Sequence, residues 1–92
     1  MTWCLNSLAS LHWRCWDEEW AVFDVGSGQT HQMDTMTAVV LMTVEASSVD
    51  TSELMLRLAD DLLIPHNREL LDTLNGILER LATAGLIESA SR

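Results

Sequence analysis

Three histidines, two cysteines and fourteen acidic side chains are the groups of this 92-residue sequence best suited to chemistry. His12, His31 and His66 stand far apart, and none is spaced with Cys, Asp or Glu as metal ligands are. His31-Gln32-Met33-Asp34 comes nearest to such a pattern, and His31 there reads as a strand side chain packing its ring. Cys4 and Cys15 are too few for a disulfide framework or a structural zinc site. Cys15 falls in an apolar alternation and is expected to be a small core hydrophobe. Gly26-Ser27-Gly28 has no following lysine and opens a strand rather than a helix, so it is no phosphate cradle. The paired acids Glu18-Glu19 and Asp60-Asp61 read as solvated turns or faces, and no Ser/His/Asp set stands out. The expectation is a non-catalytic chain that needs no metal or cofactor.

Charge narrows the partners. Fourteen acidic residues face five basic ones, all arginine, for a formal net charge of -9. A surface of that sign repels polyanions, so nucleic acid is a poor partner, while basic or neutral partners are favoured. Apolar residues make up 48% of the chain, which is enough for one modest core and is not a disordered composition. No apolar run approaches the roughly 20 residues that span a bilayer. Met1-Thr2-Trp3-Cys4-Leu5-Asn6 lacks the basic start of a secretory signal, so the expected location is cytoplasmic and off the membrane.

Candidate groups need elements to position them, and the periodicity supplies these. Leu11, Trp13 and Cys15 alternate with His12, Arg14 and Trp16, which is a strand period. After the polar turn Asp17-Glu18-Glu19, a second strand runs from Trp20 to Val25. Gly26-Ser27-Gly28 then gives a hairpin its positive-φ freedom. Gln29-Thr30-His31-Gln32-Met33 is a short polar third strand. From Asp34, a capping residue, the period becomes helical: Met36, Val39, Val40, Thr43 and Val44 share a face, and Leu41 and Met42 widen it. Asp50-Thr51-Ser52-Glu53 starts a second helix carrying Leu54, Leu58 and Leu62. Pro65 separates it from a third, capped by Asn67, running to about Ala84 and stopped by Gly85, with Leu86 and Ile87 covering the core. The predicted fold is α+β and winged-helix-like, a three-stranded antiparallel sheet followed by a three-helix bundle. Residues 1–10 form an arm, 11–88 the single domain and 89–92 a tail.

Two features go beyond a generic small domain. Sheet edges are usually guarded by lysine, proline or bulges, and Gln29–Met33 contains neither residue type, so it could template an added strand. The apolar arc of the third helix spans roughly 160°, wider than the approximately 100° that a one-sided helix needs. Leu71, Leu78 and Ala82 lie on one flank of that arc, with Asn75 at its polar margin, where they could line a groove or simply fill the core. Large apolar residues on both faces of the second strand also leave one face for a partner or for a homodimer.

These residues resemble a family. The tryptophan-bearing strand pair with Trp13 and Trp16, the segment Glu19-Trp20-Ala21-Val22-Phe23-Asp24, and Gly26-Ser27-Gly28-Gln29-Thr30-His31-Gln32-Met33-Asp34 look like the PqqD family of peptide chaperones. The helix Met36–Glu45 and the ending Leu78-Glu79-Arg80-Leu81-Ala82-Thr83-Ala84-Gly85-Leu86-Ile87-Glu88 continue the match over residues 11–88. Ser27–Asp34 is similar to a subgroup associated with a kinase related to HPr kinase. The resemblance implies a module that captures the leader of a precursor peptide by strand addition and presents it to a modifying enzyme, here kinase-like. It implies Thr30, His31, Gln32 and Met33 as the pairing edge, and Leu71, Leu74, Asn75 and Leu78 as groove residues. The chain departs from the family at Glu45-Ala46-Ser47, where an acidic-glycine turn is common, and at Thr35 and Met36. Two other readings stand beside this one: a structural subunit of a larger enzyme, and a winged-helix DNA-binding regulator. The second needs a basic recognition helix, and here Arg68 and Arg80 are offset by Glu69, Asp72 and Glu79.

Overall fold

The alternating run becomes strand β2 (Leu11–Trp16), which turns into β3 (Glu19–Asp24) and then β4 (Gln29–Met33). The computed structural model describes residues 2–89. These strands form an antiparallel sheet in the order β2-β3-β4, with Trp13 opposite Val22 and Val22 opposite His31. Only Asp17 and Glu18 separate the paired ends Trp16 and Glu19, and both are left-handed, at φ 50° and 64°. Two positive-φ residues give a turn whose twist matches its strands. In the next turn Gly28 takes φ 78°. Gly26 is needed for space instead, because a Cβ there would run into the Leu8 carbonyl oxygen. Buried Asp24 clamps this corner, its Oδ1 accepting the N–H of Gly26 at 2.9 Å and of Ser10 at 3.0 Å.

Helix α1 (Thr35–Ala46) is capped by Asp34, whose Oδ1 accepts the Thr37 N–H at 2.9 Å. It buries Ala38, Val40, Leu41 and Val44, as its all-round apolar pattern requires. Helix α2 (Thr51–Leu62) follows. Asn67 then caps α3 (Arg68–Thr83) by accepting the Leu70 N–H at 2.9 Å. Gly85, at φ 82°, ends the third helix, and Leu86 and Ile87 close the core. The expected α+β, winged-helix-like arrangement is the one observed.

Three local expectations are corrected. Within the expected arm of residues 1–10, Thr2–Leu5 form β1, the middle strand of a second sheet ordered β5-β1-β6, between β5 (Val49–Asp50) and β6 (Ile87–Ser89). Trp3 pairs with both Val49 and Ser89, and its indole N–H donates to the Thr51 hydroxyl at 3.1 Å. Strands of two to four residues are too short to show a period, and their partners lie far along the chain. The expected tail begins inside β6 at Ser89, and residues 90–92 lie outside the described part. Cys15 is exposed rather than buried. It shares the core-facing side of β2 with Trp13, but the Trp13 indole already bonds Glu45, in the last turn of α1, at 2.9 Å. The helical cover ends at Trp13, short of Cys15.

Candidate functional site

Among the described residues no strand pairs with the outer side of β4; its one neighbour in the sheet is β3. The edge therefore presents free main-chain donors and acceptors at alternate positions. Its side chains divide by face. His31 and Met33 point toward the helices with Val22 and Trp20, their cross-strand partners, while Thr30 and Gln32 lie on the outer face with Phe23 and Ala21.

Beside this edge lies a hollow of about 380 Å³. His31, Gln32 and Met33 of β4 form one wall, Arg80 and Ala84 at the end of α3 the other, and buried Leu81 and Leu86 its apolar base. Asp34 and Thr37 of α1 complete it. At Arg80 and Ala84 it runs into a shallower depression of about 680 Å³ along α3, which takes in Asp72, Thr73, Gly76, Glu79 and Thr83. Thr73 in turn joins that depression to a hollow of about 320 Å³ bounded by Met36, Ile64 and Pro65. The result is one trough from the β4 edge across α3.

Polar groups in the trough are unevenly satisfied. His31 Nε2 is buried with no hydrogen-bond partner. Asp34 is held below the usual carboxylate value of 3.8, first by the Thr37 hydroxyl and then by the Thr37 N–H, with the Arg80 charge adding to the effect. Asp72 and Glu79 make no ion pair among the described residues; the pair that is present joins Arg57 to Glu53 on α2, at 2.6 Å. Gly76 sits inside α3, where glycine is disfavoured by roughly 0.5–1 kcal/mol relative to alanine. The fold does not require it, since a Cβ at Gly76 would meet nothing within 4 Å.

Of the residues singled out in the sequence, His31, Gln32 and Met33 line the trough, and Thr30 belongs to the same strand but faces the other side. The helix residues fall elsewhere. Leu74 and Leu78 are core, at 0% and 1% exposure; Leu71 packs against that core, and Asn75 is exposed on the flank away from β4. The wide apolar arc of α3 is core, and the flank that meets the trough is the more polar one bearing Thr73, Gly76, Arg80 and Ala84. Arg80, Leu81, Ala84, Leu86 and Thr37, which the sequence does not single out, also line the hollow beside β4. An interior glycine on an otherwise strong helix was the available signal.

The outer face of the sheet carries a separate hollow of about 330 Å³ among His12, Arg14, Trp16, Ala21, Phe23 and Thr30. Trp16 and Phe23 are 47% and 42% exposed there. Among the described residues no three His, Cys, Asp or Glu side chains come together to hold a metal ion, and no helix is long and apolar enough to cross a membrane.

No family model matches this sequence, and no curated protein matches it. Its fold is similar to that in the solved structure of TbiB1 in complex with the TbiA(beta) leader peptide. The TM-score is 0.72 with 13% of residues identical, over 97% of this chain and 99% of that one.

Proposed function

We propose that this chain is a non-catalytic module that captures the leader of a precursor peptide and presents it to a modifying enzyme, one related to kinases. The observation that carries this reading is the unpaired β4 edge running beside an apolar-based hollow against α3. Strand addition needs both features: main-chain bonds to the edge supply affinity, and the hollow takes alternate side chains of the guest to give selectivity. Thr30, His31, Gln32 and Met33 supply the edge. Arg80, Leu81 and Leu86 supply the hollow. The shared fold with TbiB1, a protein solved with a leader peptide bound, supports the same use here. The exposed Trp16 and Phe23 on the outer sheet face offer the modifying enzyme a docking surface on the side away from the helices. A homodimer through that face is the competing use, and light scattering of the whole chain separates the two.

The test is a titration of the ¹⁵N-labelled chain with synthetic peptides copied from the N-terminal segments of short reading frames beside its gene. A leader should shift the amides of residues 29–33, protect the alternate ones that face away from β3, and shift Thr37, Arg80 and Ala84. Shifts confined to other surfaces, or none with any such peptide, would refute the reading.

A further inference from the structure

We propose that the peptide this trough takes is basic, and that a Lys or Arg of the guest crosses α3 over Gly76 to settle between Asp72 and Glu79. The inference rests on the peptide-capture reading and adds the chemistry of the guest.

Three observations converge on it. Asp72 and Glu79 lie one helical turn to either side of Gly76, four residues before it and three after, so the carboxylates flank it on one face. Their backbone positions are about 10.5 Å apart along the axis, which leaves room for one cationic group between them. The depression is continuous with the β4 hollow through Arg80 and Ala84, so a chain zipped onto β4 has a path to it. Gly76 has no structural reason to lack a side chain, and its absence lets another backbone lie close against the helix.

Electrostatics give the sign. Helix α3 carries two arginines: Arg80 sits at the β4 end, where it interacts with Asp34, and Arg68 opens the helix one turn before Asp72. Neither arginine forms an ion pair with Asp72 or Glu79 among the described residues, and the chain as a whole carries a net charge of -9. An acidic guest would meet like charges at both carboxylates, and a neutral one would leave them unused. A basic side chain gains both.

The experiment is a selection of random 16-residue peptides displayed on phage against the whole chain at low salt. Winners are assigned to the β4 edge by their amide shifts at residues 29–33, and their Kd is measured by tryptophan fluorescence. Winners should be enriched in Lys and Arg over the input library. Asp72→Asn with Glu79→Gln should weaken them by roughly two- to thirty-fold, the sum of two exposed ion pairs. Asp60→Asn with Asp61→Asn, on α2 outside the trough, removes the same net charge and should leave Kd unchanged. Gly76→Ala should raise the melting temperature by roughly 2–8 °C and yet weaken the same peptides. If winners reach β4 without basic enrichment, if both charge-neutralised variants lose affinity equally, or if Gly76→Ala leaves Kd untouched, this inference is overturned while peptide capture stands. If no peptide reaches β4, the capture reading itself fails and takes this inference with it.

Discussion

His31 places a buried ring nitrogen without a hydrogen-bond partner at the wall of the trough, and replacing it with leucine tests that placement directly. Nε2 is buried and lacks a partner, while Val22 opposite is fully buried and Met33, two residues on along the same face, packs against the core. A buried polar atom left unsatisfied costs about 1–3 kcal/mol, and an apolar side chain of similar size removes that cost. His31→Leu should therefore stabilise the fold by about 1 kcal/mol or more, even after some loss of fit. For a domain of this length 1 kcal/mol corresponds to roughly 4–8 °C in Tm. Urea unfolding followed by tryptophan fluorescence gives the free energy, and thermal melting gives the shift. His12→Leu, on the exposed outer face, is the control and should stay within about 0.5 kcal/mol of the parent. A neutral or destabilising His31→Leu would mean that Nε2 is satisfied after all, and the account of the trough wall would have to be abandoned.

Other substitutions separate core from surface on α3. Leu74→Ala and Leu78→Ala should each cost about 2–5 kcal/mol in urea unfolding, while Asn75→Ala stays within about 0.5 kcal/mol. In the β2–β3 turn, Asp17→Asn with Glu18→Gly should raise stability by about 1 kcal/mol, because two non-glycine residues now hold positive φ; no change in Tm would argue against that turn. Asp24 is lowered from 3.8 chiefly by the Ser10 N–H, and Asp34 chiefly by the Thr37 hydroxyl. A lowered carboxyl stabilises the fold fully above its unfolded value and loses that contribution as pH falls through its folded one. Melting temperature should thus fall as pH drops below about 3.8, less steeply in an Asp24→Asn, Asp34→Asn variant; parallel slopes for parent and variant would contradict it.

How much of this was legible in the sequence depends on the length scale of the signal. The β2-β3-β4 meander and the starts of α1 and α3 announce themselves through alternation and caps that act over a few residues: Trp13 opposite Val22, Asp34 bonding Thr37, Asn67 bonding Leu70. The second sheet does not. Trp3 meets Val49 and Ser89, and no local pattern encodes a pairing across more than forty residues. Cys15 shows the same limit from the other side: its alternation is correct, but where the covering helix stops is a tertiary fact. The open edge was readable because lysine and proline are absent from Gln29–Met33. The groove wall was not. An apolar arc states how much of α3 is buried but not which of its borders turns toward β4, and the border that does so carries Thr73, Gly76 and Arg80 rather than leucines.

The second sheet also explains how β4 stays bare. An N-terminal strand could have closed that edge, but β1 is held between β5 and β6, with the Thr2 hydroxyl bonding Asp50 at 2.9 Å and the Trp3 indole bonding Thr51. Residues joining β1 to β2 are fixed in turn: Asn6 donates to the Leu86 carbonyl, Val25 donates to the Ser10 carbonyl, and the Leu8 carbonyl fills the space that Gly26 leaves. The segment has no slack with which to reach β4. Closing the edge with β1 would require breaking the β1 pairings and the Asp24 clamp together, so the fold commits this strand to the second sheet and, among the described residues, the outer side of β4 stays unpaired.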